Sequence, residues 1–347
     1  MFYIKIMIFL MMPQYIFALP VLKGKQSLDN IRFISQDGKF TYYQRRSGKL
    51  QISTNYSNKE VLDGKKYTQY FIHSSPARKR ILIEKDEAFY QEMGIHKVNK
   101  IFTADYGQSE AKFVANATSP RLHRDDSYIS LFYPREKNIG VRKAGDSKDS
   151  VLIKLRNPLN PSFSPVVLMP TPNDVLYTDI NKDGNQAFLM YSILENKMQT
   201  VYKASYPGSK LEGCIVGEDL IVGEFAQVEN SSGSKIIKIP LFNNESYQKM
   251  NIIYQNQASD LGNMLCEHNK VFFIKTLSYN KKLNLKETEV ASIDLGKNNL
   301  SIISDLEYVT QLISMDGMVL APLRGKYYIV HGKKNVVDDG LKRDKNK

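Results

Sequence analysis

The chain's 347 residues are 42% hydrophobic and 24% charged, an ordinary globular balance that excludes a disordered polymer. Only two cysteines occur, which excludes a small disulfide-built framework, and a formal net charge of +12 serves solubility as readily as it serves anionic partners. Tyr (21) and Phe (16) are plentiful and Trp is absent, a usage that leans toward strands because aromatic side chains pack well on pleated surfaces.

Met1 to Ala18 reads MFYIKIMIFLMMPQYIFA, with an early Lys5, an apolar core from Ile6 to Met12, and Ile16 and Ala18 at a cleavage site. A spanning helix needs about 20 apolar residues, and Pro13 and Gln14 break this run well before that. The segment predicts a signal peptide over 1–18 and an exported protein, periplasmic or secreted, with an uncleaved anchor as the other reading. No cysteine follows the apolar run as a lipoprotein would need, and no later segment is long and apolar enough to cross a membrane. Residues 19–26 read as a linker, 27–340 as the folded body, and 341–347 as a basic tail.

A unit then recurs along the body: a short strand-like run, a tight polar turn, and a second apolar run. It reads IRFIS-QDG-KFTYYQ from Ile31, TQYFIHSS-PARK-RILIEK from Thr68, and RLHR-DDS-YISLFY from Arg121. It continues as LYTDIN-KDGN-QAFLMYS from Leu176, GCIV-GED-LIVGEF from Gly213, MLCE-HNK-VFFIK from Met264 and QLIS-MDG-MVLAPL from Gln311. The turns centre near residues 37, 77, 126, 183, 218, 269 and 316. Their mean spacing of roughly 46 residues matches the period of about 40–50 expected of a repeated four-stranded blade. Asp37-Gly38, Asp183-Gly184 and Asp316-Gly317 supply the positive φ that tight hairpins require. Lys49 to Thr54 and Glu60 to Leu62 supply further strands in the first unit, as Tyr327 to Val330 and Val336-Val337 do in the last. The periodicity is strand-like throughout. The fold expected is all-β, a seven-bladed β-propeller, with six blades and an odd hairpin as the alternative.

ISQDGKF (34–40) and DINKDGNQAFL (179–189) resemble the WD-like repeats of TolB-like propellers. The resemblance runs in repeated form from residue 27 to about 340 and implies a propeller fold. The Trp-Asp pair of true WD repeats is absent, as is the N-terminal α/β domain of TolB.

Candidate chemistry is sparse. Asp179 to Gly184 fits the opening half of a calcium loop, but Met190 stands where the twelfth-position acid belongs, so a plain hairpin is expected. His73 and His123 fall at comparable places on adjacent inner strands and could share a metal, yet a site needs three or four ligands. The other histidines are His96, His268 and His331. No Gly-x-Ser-x-Gly elbow occurs. Glycoside hydrolysis across paired carboxylates has Asp29, Asp174, Glu212, Asp260 and Glu307 as candidates. Arg45-Arg46, Arg78-Lys79-Arg80 and Arg121 with Arg124 sit in or beside turns, so nucleic acid is not expected as a partner.

The function read from these residues is an exported, non-catalytic scaffold binding a protein or an envelope glycan through loops at one mouth of the channel. Asp29, Gln69, Arg121, Asp174, Asn263 and Tyr308 are the rim residues expected to do so, with no catalytic residues, metal or cofactor assigned. A polysaccharide hydrolase or lyase at the same mouth is the alternative. Cys214 and Cys266 precede turns on neighbouring inner strands; two buried thiols are expected ahead of a disulfide, since bridging requires Cα atoms within about 7 Å.

Overall fold

The computed structural model describes residues 31–332 apart from 36, 55, 87–98, 157–164, 182, 207, 226–232, 243–249, 257–260, 281–284, 305–308 and 324–325. The signal peptide, linker and basic tail expected from the sequence lie outside these residues. Every described element is a strand.

The first sheet is the meander β1 (Ile31–Ile34), β2 (Phe40–Gln44), β3 (Leu50–Thr54) and β4 (Asn58–Leu62). A seven-stranded sheet follows, from β5 (Gln69–Ser74), β6 (Arg80–Asp86) and β7 (Asn99–Asp105) to β8 (Ala111–Leu122), β9 (Tyr128–Tyr133), β10 (Asn138–Lys143) and β11 (Val151–Lys154). Its long strand β8 serves two meanders: residues 111–117 pair with β7, and residues 118–122 pair with β9. Three four-stranded meanders come next. They are β12 (Val167–Thr171) to β15 (Lys197–Lys203) through β13 (Asp174–Ile180) and β14 (Gln186–Ser192); β16 (Lys210–Val216) to β19 (Asn251–Asn256) through β17 (Asp219–Phe225) and β18 (Ser234–Pro240); and β20 (Leu261–Glu267) to β23 (Asn299–Ser304) through β21 (Lys270–Asn280) and β22 (Leu285–Asp294). The last sheet holds β24 (Ile313–Met315), β25 (Met318–Leu323) and β26 (Lys326–His331).

The second strand of each meander carries an almost unbroken apolar run, because both of its faces are covered. In β6, Ile81 and Ile83 pack into a core shared with β1–β3, whereas Leu82 faces the opposite core with Ile129 and Leu131. In β17, Leu220 and Val222 join Leu176 and Phe188 on one side, and Ile221 joins Val271 and Phe273 on the other. Apolar layers of this kind separate each meander from the next. The final layer sets Met315, Met318, Leu320 and Ile329 of the last described sheet against Ile31 of the first, so these two sheets pack together.

The structure corrects the alignment of the fourth unit. Asp183-Gly184 joins β13 to β14, the second and third strands, while the first hairpin turns at Pro172-Asn173 between β12 and β13. Asp-Gly favours any tight hairpin and carries no information on which hairpin it closes. With the turn moved from 183 to 172–173, successive first hairpins fall at nearly even intervals.

Gly48 shows where local sequence is decisive. Its φ is +93°, and a Cβ there would lie 1.7 Å from the Lys65 carbonyl oxygen, which belongs to rigid backbone. Gly48→Ala is expected to cost about 2–3 kcal/mol, read as a lowered urea midpoint at unchanged slope. A loss under half a unit of that scale would mean the 45–65 segment relaxes freely.

Candidate ligand site in the central channel

First strands of several meanders gather around a cavity of about 990 Å³, bordered by β8, β12, β16, β20 and Ser314 of β24, with Thr178 and Ile180 of β13 and Gln186 of β14 completing that wall. Because these first strands run the same way, residues near their beginnings share one end of the channel. Ser119, Val166, Gln186, Ser209 and Lys210 lie toward that end.

Arg121 of β8 supplies a guanidinium to the wall. One of its N–H groups donates to His73 Nδ1 at 3.1 Å, which fixes the neutral imidazole's proton on Nε2, since guanidinium cannot accept. His73 Nε2 lies 3.7 Å from Glu84 Oε2. The other Glu84 oxygen accepts from Asn99 Nδ2 at 2.7 Å and from the Ser119 N–H at 3.3 Å. Residues of β5 and β6, the first residue of β7 and the last part of β8 thus build one polar relay behind Arg121. Facing it, Glu212 Oε1 accepts from Lys210 Nζ at 2.6 Å and Oε2 from the Met264 N–H at 2.8 Å. Cys214 and Cys266 line the same wall and are joined in a disulfide, their Cα atoms 6.0 Å apart. The bridge replaces the two thiols expected from the sequence: β16 and β20 approach as neighbouring first strands, which brings the residues within bridging range.

Burial pushes the His73 imidazole below its ordinary range, with Glu84 opposing and the Arg121 charge adding to the shift. Burial lowers His331 likewise, helped by His268 and Lys270. A histidine held neutral in the fold takes up a proton on unfolding, so its contribution is present above about pH 6.5 and is lost as pH falls below that value. Acidification from pH 7.5 to 5.5 is therefore expected to lower the urea midpoint, each histidine contributing at most about 1.4 kcal/mol per pH unit. His73→Gln should flatten that slope; an unchanged slope would exclude His73 as a source.

Of the six rim residues expected from the sequence, Arg121 and Asn263 line the cavity. Gln69 begins β5 on the exposed surface, away from the lining. Asp174 follows the β12–β13 turn, at the opposite end of the channel, where it accepts from Thr171 Oγ1 at 2.6 Å. That position follows from the corrected alignment of the fourth unit. Asp29 and Tyr308 lie outside the described residues, as do Asp260, Glu307 and His96. Gln186, Lys210 and Ser209 were missed because residues flanking a turn look alike whether they meet the channel or solvent.

Among the described residues, no group of three or more His, Cys, Asp and Glu side chains is placed to hold a metal ion. His123 Nδ1 is engaged by Asp125 in its own turn, far from the His73 relay in bonding terms. The calcium-like segment is a hairpin: Asp179 accepts the Arg156 and Ile180 N–H groups, and Asn181 Oδ1 accepts those of Asp183 and Asn185. Glu212 is the single carboxylate among the described lining residues. Among the described residues, no helix is long and apolar enough to cross a membrane.

No family model and no curated protein matches the chain. Solved structures do. The tricorn protease is similar over 92% of this chain and 34% of its own, at 11% identity and a TM-score of 0.59. A prolyl endopeptidase is similar over 86% of this chain and 49% of its own, at 11% identity and a TM-score of 0.59. The Swd1 β-propeller domain of Myceliophteria thermophila is similar over 89% of this chain and 97% of its own, at 11% identity and a TM-score of 0.55. The chain therefore spans about a third of the tricorn protease chain and half of the endopeptidase chain. Likeness at such identities shows the fold alone: the chain is built as a β-propeller.

Proposed function

We propose that this β-propeller has seven blades with TolB-like repeats, is exported, and works as a non-catalytic scaffold that binds a protein or an envelope glycan in its channel. The observation that carries the reading is the cavity itself. It combines a guanidinium seated on a buried relay, unspent amide groups and aliphatic wall, the mixture by which concave sites orient a ligand. The blade count rests on the apolar layers, each shared by two successive meanders and the last shared by the final and first sheets. Glycoside hydrolysis calls for two carboxylates facing one another, and Glu212 is already committed to Lys210 and the Met264 N–H.

Partner capture from the exported fraction tests the reading. The protein with Arg121→Ala and Gln186→Ala is expected to lose at least tenfold in captured partner, with its thermal unfolding unchanged. Undiminished capture would remove the channel from consideration, and release of oligosaccharide from a polysaccharide would favour an enzyme. Export is tested separately: N-terminal sequencing of the mature protein is expected to begin at Leu19, and a retained Met1 would contradict it.

A further inference from the structure

Most polar side chains left unspent on the cavity wall are donors, with the Ser209 hydroxyl able to donate or accept. Asn263 Oδ1 accepts the Leu312 N–H, and Gln186 Oε1 accepts the Leu211 N–H at 2.9 Å, so each amide has only its NH2 left to offer. Arg121 gives a single N–H to His73 and, among the described residues, makes no direct ion pair with a carboxylate. Lys210 is matched by Glu212, 2.6 Å away, and that carboxylate's other oxygen is taken by the Met264 N–H. Arg121 is thus the lining cation without a directly paired carboxylate; Glu84 acts on it only across His73. A wall with a guanidinium whose remaining N–H groups are open and two free amide NH2 groups favours a ligand rich in oxygen acceptors that carries a negative charge.

We propose that this wall captures the C-terminal carboxylate of a peptide segment. Arg121 takes the carboxylate through its guanidinium fork, and the NH2 groups of Asn263 and Gln186 take backbone carbonyls of the same segment. The guanidinium's open N–H groups suit the two oxygens of a carboxylate, and the carboxylates Glu84 and Glu212 already near the wall disfavour a dianion such as phosphate. The wall also carries aliphatic Val167, Leu168 and Met264 beside Thr178, Ser209 and Ser314, and among the described residues it holds no aromatic ring. Aliphatic walls accommodate peptide side chains; the flat C–H face of a sugar ring has no aromatic surface there to lie on.

This inference rests on the binding reading above, and the test separates the two. Random hexapeptides are immobilised with free C-termini, a second library is amidated, and a polygalacturonate column forms a third arm. The protein is expected to be retained on the free-acid library and at least tenfold less on the amidated one. Arg121→Lys keeps the charge and loses the fork. Asn263→Asp keeps the acceptor for Leu312 and tolerates the φ of 49°, while replacing the donor with a like charge. Each is expected to lower retention at least tenfold with thermal unfolding unchanged; should either unfold early, Gln186→Glu makes the same replacement at the second amide. Equal retention on both libraries, wild-type retention of these variants, retention on polygalacturonate alone, or none on any arm would overturn the proposal. The broader binding reading then stands only if Arg121→Ala with Gln186→Ala still loses its captured partner.

Discussion

Replacing both Cys214 and Cys266 by serine is expected to lower stability by about 4 kcal/mol, the value that loop-closure entropy assigns to a chain segment of this size. The residues are 52 apart in sequence, so the bridge closes a loop that contains β17 to β19, the remaining three strands of the meander that Cys214's β16 begins. Without the cross-link, the unfolded chain regains the freedom of that loop, and the folded state gains nothing in return. The double variant is the cleaner test, since a single change would leave one reactive thiol in the channel. Its urea midpoint should fall, and wild-type protein in a strong reductant should fall equally. A loss below about 1 kcal/mol would indicate that the unfolded chain is already constrained there. Because the disulfide borders the cavity, the variant also reports whether ligand binding depends on how β16 and β20 are spaced.

Asp316→Ala is expected to cost about 3 kcal/mol, the second largest effect. Asp316 sits in the β24–β25 turn, almost wholly buried, and accepts from Tyr106 Oη at 2.6 Å and from Arg78 Nε at 2.9 Å. Those partners belong to the second meander, 210 and 238 residues earlier, so one carboxylate ties the last described sheet to that meander. Tyr106 in turn packs edge-on against Phe40 of the first sheet, with ring centroids 4.9 Å apart. Removing the carboxylate leaves the Tyr106 hydroxyl without this acceptor, a penalty of about 1–3 kcal/mol. Arg78 is partly exposed and can turn to water, so its share is small. The φ of 50° at residue 316 adds strain for alanine of about 1 kcal/mol, which Asp316→Gly removes. Glycine should therefore be milder than alanine by that amount, and both should leave the channel wall intact. Equal stability of Asp316→Ala and the parent would mean that the apolar layer of Ile31, Met318 and Leu320 closes the ring unaided.

The all-β character and the repeat were legible because strand-forming runs and turn residues are local signals. The first hairpins near 37, 77, 126, 218, 269 and 316 coincide with observed turns, and the third and fourth strands of the first unit are close to β3 and β4. The fourth unit was misread for a definite reason. Its first strand, VLMPT, contains Pro170 and ends in the unassuming pair Pro172-Asn173, while the stronger Asp-Gly signal closes the next hairpin. That one-strand offset explains why Asp174, expected at the rim, sits at the β12–β13 turn and outside the cavity lining. Of the residues expected at the rim, Arg121 and Asn263 lie on strands whose register matched the sequence reading, and both line the cavity. What makes Arg121 distinctive, the His73–Glu84 relay behind it, joins residues 48 and 37 positions away in the chain, which spacing alone cannot bring together.

Hydrogen exchange of the protein, alone and saturated with free-acid hexapeptides, tests the central claim most directly. The account predicts slowed exchange at residues 118–122, 210–216 and 261–267, the first strands that border the cavity. Slowing confined to the outer strands β19 and β23, with these three segments unchanged, would contradict it.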